Sequence, residues 1–267
     1  MGVVNVTPDS FSDGGLYLDG DAAIAHALEL VGEGADIVDV GGESTRPGAE
    51  PVPAAEELER VLGVVEGIVA AGTGAQVSID TSKAAVARAC IAAGATLVND
   101  VSALRGDPEM AGIVAQSGAE CCLMHMLGEP RTMQSEPRYG DVVDEVRAFL
   151  EERMAYAVGE GVREERIVLD PGIGFGKTLA HNLELLARLD ELATLGRPLL
   201  VGTSRKSFIG RILADAAGRQ EPVAASERLP GTIATNVLAY ERGASVFRVH
   251  EVAPVRAALS VAAATLG

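Results

Sequence analysis

Short apolar runs recur along the chain and each closes on a polar residue or a glycine: positions 3–5, 37–39, 77–80, 97–100, 123–125, 167–170, 199–202 and 246–250. Runs this short, rich in Val, Ile and Leu, mark strands buried on both faces, as in a parallel sheet. Eight strands are expected. Between them apolar residues return at helical spacing over 22–33, 54–71, 84–93, 108–116, 142–158, 182–192, 208–217, 232–242 and 254–266. Gly-Ala pairs at 34–35, 94–95, 118–119 and 243–244 separate helix from strand, and a glycine there takes the left-handed conformation that closes a helix without steric cost. The strand-to-helix segments 7–19, 41–52, 126–139, 171–178 and 203–207 are long and chemically rich by comparison. This asymmetry predicts an α/β fold, a single (β/α)8 TIM barrel over 1–267 with long strand-to-helix loops at its carboxyl face. A doubly wound open sheet is the alternative, but it would gather its chemistry at one switch point.

The 267 residues match the roughly 250 of one such barrel. A composition 48% hydrophobic and 22% charged indicates a folded soluble protein, and no apolar run approaches the ~18 residues of a membrane span. No signal-peptide pattern opens the chain, so a cytoplasmic protein is expected. The first strand begins almost at Met1, and any barrel-closing segment before it is expected to be missing or trimmed. A net charge of −16 disfavours nucleic acid and anionic membranes as partners, since both require a positive footprint. An anionic substrate must then be met by local cations. The three lysines, Lys83, Lys177 and Lys206, each fall just after an expected strand, in the loop that leads to a helix. Cys90, Cys121 and Cys122 read as reduced core thiols; the adjacent pair would point to opposite faces of a strand and cannot chelate one ion together.

The densest stretch is Asp170-Pro-Gly-Ile-Gly-Phe-Gly-Lys177. A carboxylate ends the buried strand, glycines allow close backbone approach, and Phe175 and Lys177 offer a ring and a cation. Asp80, Asn99 and Asp170 could each cap a helix; converging at one mouth, they would supply acceptors and donors to a heterocycle rich in ring nitrogens. Arg248 and His250 alternate on the last strand and, with Asn5 opposite, suit a phosphate. His26 and His181 read as surface residues, and His125 as structural. Gly176-Lys177-Thr178 ends like a P-loop, but Pro171 removes a backbone N–H from the loop that would cradle phosphate, which argues against an NTPase.

These residues carry a family resemblance. Met1 to Gly15, reading Met-Gly-Val-Val-Asn-Val-Thr-Pro-Asp-Ser-Phe-Ser-Asp-Gly-Gly, and Asp39 to Gly48, reading Asp-Val-Gly-Gly-Glu-Ser-Thr-Arg-Pro-Gly, resemble the two signatures of the dihydropteroate synthase family. Gly202-Thr-Ser-Arg-Lys-Ser-Phe208, Phe247-Arg-Val-His250, Asp170 to Gly176, Asn99-Asp100 and Met124-His-Met126 complete the set over essentially the whole chain. The resemblance implies a (β/α)8 barrel that joins 4-aminobenzoate to 6-hydroxymethyl-7,8-dihydropterin diphosphate, releasing pyrophosphate, with Mg2+ as cofactor and a homodimer as the assembly. It assigns Asp80, Asn99, Asp170, Lys206 and Arg248 to the pterin. Asn5, Arg248 and His250 go to the diphosphate, with Asn5 on the metal. Phe11, Thr45, Arg46, Pro47, Phe175, Lys206 and Ser207 would surround aminobenzoate or the sulfonamides that mimic it. Asp80, Lys206, Arg248 and Asp13 are the implied catalytic group, Phe11 and Asp13 lying in a mobile first loop.

The chemistry so implied is SN1-like, with electrostatic help to the leaving group and no covalent enzyme intermediate. Two rivals share the pterin. A corrinoid-dependent methyltransferase needs neither Ser44-Thr-Arg-Pro47 nor Ser204-Arg-Lys206, and a catalytically silent paralogue would have damaged one of them; both are intact.

Overall fold

The computed structural model describes residues 1–7, 20–45, 48–128 and 131–266. Phe11, Asp13, Arg46 and Pro47 lie outside the described residues. Eight strands appear at the expected places: β1 (Gly2–Asn5), β2 (Ile37–Gly41), β3 (Gln76–Asp80), β4 (Leu97–Asp100), β5 (Glu120–Met124), β6 (Ile167–Asp170), β7 (Leu199–Val201) and β8 (Ala244–Phe247). They form one parallel sheet in sequential order, β1 through β8. The helices are α1 (Gly20–Gly32), α2 (Ala54–Ala70), α3 (Ala84–Ala92), α4 (Met110–Ser117), α5 (Val142–Gly159), α6 (Leu179–Ala187), α7 (Leu189–Ala193), α8 (Ser207–Ala216), α9 (Leu229–Glu241) and α10 (Val252–Leu266). Gly34, Gly94, Gly118 and Gly243, which end four helix-to-strand turns, all have positive φ. No described helix is long and apolar enough to cross a membrane.

The sheet is curled, and its two edges meet without a ladder. β1 and the chain just past β8 share one isolated parallel bridge, Gly2 to Val249, in which Val3 N–H donates to Val249 O and Val249 N–H to Met1 O, both at 3.0 Å. The expected fully laddered closure is not formed, because β8 ends at Phe247, short of the bridging residue, after a register shift at Leu199/Leu200. Arg248 and His250 therefore lie beyond the last strand rather than on it, flanking Val249.

A second departure falls in the predicted helix 182–192, which breaks at Arg188 into α6 and α7. The Arg188 backbone leaves helical geometry (φ −116°, ψ 28°), and its guanidinium fork binds Glu191, Asp141 and Glu184.

Alternation along each strand divides the sheet into two faces. Val4, Val38, Val40, Val77, Ile79, Val98, Cys121, Leu123, Ile167, Leu169 and Val201 face the helices in the main core. The other face carries a small apolar floor of Met1, Leu97, Cys122, Val168 and Leu200. Cys121 and Cys122 thus point opposite ways, and burial raises both thiols, Cys121 to about 12. Towards the carboxyl ends this inner face turns polar, and the register puts Asn5 level with Gly41, Gly41 with Asp80 and Asp80 with Asn99.

Candidate active site at the carboxyl ends of the strands

Arg248 organises the inner face. Its Nε donates to Asp39 Oδ2 at 2.6 Å and its Nη2 to Asp80 Oδ2 at 2.8 Å. Asp39 also accepts from Ser78 Oγ at 2.6 Å and from Asn99 Nδ2 at 3.0 Å. Asp39, fully buried, is tolerated there because three donors, from β3, β4 and the chain just past β8, satisfy its charge. Sequence reading placed Asp39 at a strand end and gave it no role. β2 runs on to Gly41, so Asp39 sits inside the strand, and a carboxylate inside a doubly buried strand was the signal that a partner cation was needed.

Burial raises the Asp80 carboxyl to about 7, while Arg248 opposes the rise and Asp39 adds to it. Burial pulls Arg248 down, but Asp39 and Asp80 hold it above its ordinary value. The two directions conflict, one favouring a protonated Asp80 and the other an ionised one. The 2.8 Å contact is the ion pair that forms once Asp80 has lost its proton near 7.

Across the mouth, Asp170 Oδ1 accepts the Gly172 N–H at 2.7 Å. Burial raises the Asp170 carboxyl, against the charge of Lys206 and the Gly172 hydrogen bond. Lys206 donates to the carbonyl of Ile173, and its ammonium lies 4.7 Å from the centre of the Phe175 ring. Burial lowers Lys206 to about 8, with Asp170 resisting. Gly174 makes room for the Lys206 stem, since a Cβ there would come within 3.0 Å of its Cδ. At Gly172 (φ +66°) a Cβ would lie 1.9 Å from the carbonyl oxygen of His125, which only glycine avoids.

His125 and Lys177 form a pair beneath this loop. Lys177 Nζ donates to His125 Nδ1 at 2.8 Å and to Phe175 O at 3.0 Å. Burial, with the Lys177 and Arg105 charges, depresses His125 to about 2, and burial lowers Lys177 to about 7. His125 packs edge-on against Phe149 at 4.9 Å, in keeping with a structural role. His181 caps α6 through Thr178, and Asp100 ties Ser102 and Leu104 N–H groups at 2.8 Å.

The structure therefore brings Asp80, Asn99 and Arg248 into one network through Asp39, and Lys206, Phe175 and Asp170 into a second group beside it. His250 Nδ1 lies 2.9 Å from Ser204 Oγ. Asn5 is half-buried at the end of β1, Thr45 half-buried after β2, and Ser207 exposed at the start of α8. Among the described residues there is no cluster of three His, Cys, Asp or Glu side chains able to hold a metal ion.

A curled parallel sheet with buried carboxylates, a carboxamide, an arginine and a lysine at its carboxyl ends defines an α/β protein built to hold a polar small molecule. The model of the family described as "Pterin binding enzyme" matches residues 1–250. The dihydropteroate synthase of Escherichia coli K12 is 47% identical over 266 residues, covering 100% of this chain and 91% of that protein. Two solved structures of the Xanthomonas albilineans dihydropteroate synthase are similar throughout. The one with 4-aminobenzoic acid has a TM-score of 0.90 and 47% identity, covering 100% of this chain and 92% of that one. The one with 7,8-dihydropteroate has a TM-score of 0.87 and 45% identity, with the same coverage of both chains. The chain belongs to the pterin-binding enzyme family, within its dihydropteroate synthases.

Proposed function

We propose that this protein condenses 6-hydroxymethyl-7,8-dihydropterin diphosphate with 4-aminobenzoate, giving 7,8-dihydropteroate and pyrophosphate in folate biosynthesis. The observation that carries the proposal is the inward row of Asp80, Asn99 and Asp170 beside Arg248, at the strand ends. Asp170 has committed one oxygen to Gly172 and offers the other to ring N–H groups; Asn99 and Asp80 complete the pterin edge, with Lys206 and Arg248 alongside.

In the reaction the methylene–oxygen bond to the diphosphate breaks, the aryl nitrogen bonds to the same carbon, and the amine loses a proton to solvent. The chain's part is electrostatic and positional. Asp80 and Asp170 stabilise positive charge that develops on the pterin, and Arg248 and His250 meet charge growing on the departing pyrophosphate. The two carboxylate pairs occupy two of the five N–H donors of Arg248, so others remain for phosphate oxygens. Lys206, Phe175, Ser207, Thr45, Arg46, Pro47 and Phe11 orient aminobenzoate, which being weakly basic needs placement more than deprotonation. Asp13 completes the catalytic group.

Asn5, half-buried at the end of β1, carries a carboxamide oxygen, a hard ligand of the kind Mg2+ accepts beside waters and substrate phosphates. Asn5 would hold the ion, which when bound supplies charge neutralisation at the leaving group. The proposal extends to a single (β/α)8 barrel domain over 1–267, supported by the Gly2–Val249 bridge, and to a cytoplasmic homodimer acting on small molecules. Mixing the protein with both substrates and Mg2+ and assaying pyrophosphate tests it. Release that depends on both substrates is expected; binding of pterin without release would identify a silent paralogue.

A further inference from the structure

Lys83 takes no part in the site just described, yet it is the hub of a partly buried charge cluster. Its Nζ donates to Glu43 Oε2 at 2.7 Å and to Glu57 Oε2. Glu57 lies on α2 with its side chain wholly buried, Glu43 follows β2, and Lys83 immediately precedes α3. The other oxygen of Glu43, Oε1, accepts the Val52 N–H at 2.8 Å. One side chain thus joins the two ends of the connection between β2 and α2. Arg60, on α2, donates to the carbonyl of Gly42 at 2.7 Å. Nothing larger than glycine fits at 42, where a Cβ would come within 2.8 Å of Val61 and 3.0 Å of Glu57.

Two carboxylates held this close repel unless a cation stands between them, and removing it leaves the charge of Glu57 buried and unpaired. Burial would lower Lys83, but hydrogen bonds to Glu43 and Glu57 hold it above its ordinary value, so the cation is secure. Glu57 Oε1 has no partner although buried, so among the described residues Lys83 is the cation that the Glu57 carboxylate depends on. Asp80 lies three positions before Lys83 but is fixed separately, by its strand and by Arg248.

We propose that Lys83 is a positioning residue for the aminobenzoate half of the reaction: by fastening Glu43 across the base of the β2–α2 connection, it sets where Thr45 is presented. The inference rests on the reading of that connection as part of the aminobenzoate site. It separates the two substrates, because the pterin contacts stand on strand ends that Lys83 does not hold.

The test uses the full chain as wild type, Lys83→Met, Lys83→Arg and Glu43→Gln. Pyrophosphate release by the wild type is measured first; its absence would overturn the proposed function itself, a failure distinct from any in the variants. Lys83→Met is expected to raise the aminobenzoate KM roughly tenfold or more through misplacement of the connection, with the pterin Kd by calorimetry unchanged within about twofold. Lys83→Arg should restore most of the loss, since it returns the cation. Glu43→Gln keeps an acceptor for Val52 but removes one charge; it should raise the same KM by a smaller factor, and it carries the test if Lys83→Met fails to fold. An unchanged aminobenzoate KM in the folded variants, or equal weakening of both substrates, would overturn the proposal.

Discussion

Arg248 donates to Asp39 at 2.6 Å across 209 positions of sequence, fastening the chain just past β8 to β2. The contact ties the sheet's inner face together where the β1–β8 ladder is lacking, and it holds the guanidinium beside Asp80. Asp39→Asn replaces an acceptor by a group that presents N–H to N–H. Breaking a buried pair in this way is expected to cost about 3 kcal/mol, read as a lower midpoint in urea unfolding with an unchanged slope. A loss well under about 1 kcal/mol, the scale of an exposed pair, would show that Asp80 alone secures Arg248.

Asp170→Asn tests the heterocycle site. The amide can still accept from Gly172 through its oxygen but then turns a donor towards the ligand. Loss of a charge-assisted hydrogen bond should weaken pterin binding by roughly 1.5 to 3 kcal/mol, measured by calorimetry, while circular dichroism stays that of the parent. Pterin affinity equal to wild type would remove Asp170 from the site.

The pH dependence of kcat/KM should be a narrow bell. Asp80 must lose its proton to act, and burial places that event near 7; Lys206 must keep its proton, and burial places its loss near 8. Activity therefore rises through the first value and falls through the second, the two limbs belonging to the coupled site as a whole. Asp80→Asn should remove the acid limb and Lys206→Gln the alkaline one. A profile flat from about pH 6 to 9 would show that neither ionisation matters.

Lys177 should leave a mark on stability. Its folded value near 7 lies below the ordinary 10.5, so between the two the unfolded chain binds a proton that the folded chain has lost. Stability then rises with pH across that window, by at most about 1.4 kcal/mol per unit, and the gain is lost as pH falls back through 7. Lys177→Met removes this contribution. Urea unfolding near pH 7 and near pH 10 should show the parent gaining more than the variant; parallel changes would mean that Lys177 stays charged.

Much of this molecule was legible in sequence because its signals are local. Strand 167–170 is a short apolar run ending in a charge, and Gly34, Gly94, Gly118 and Gly243 mark helix ends because left-handed backbone favours glycine wherever the chain goes next. The family signatures are local too, and the resemblance they carry assigns Asp80, Asn99, Asp170, Lys206 and Arg248 to the pterin.

What only the tertiary structure decided is which buried charges meet. Asp39 and Arg248, Lys83 and Glu57, Lys177 and His125 are 209, 26 and 52 positions apart. No periodicity links such pairs, because Coulomb attraction acts through space and only the packing of strands, helices and loops brings them within reach. The same reason explains the edge between β1 and β8: eight strands can be counted in the chain, but how the first meets the last depends on curl and register accumulated over the whole sheet.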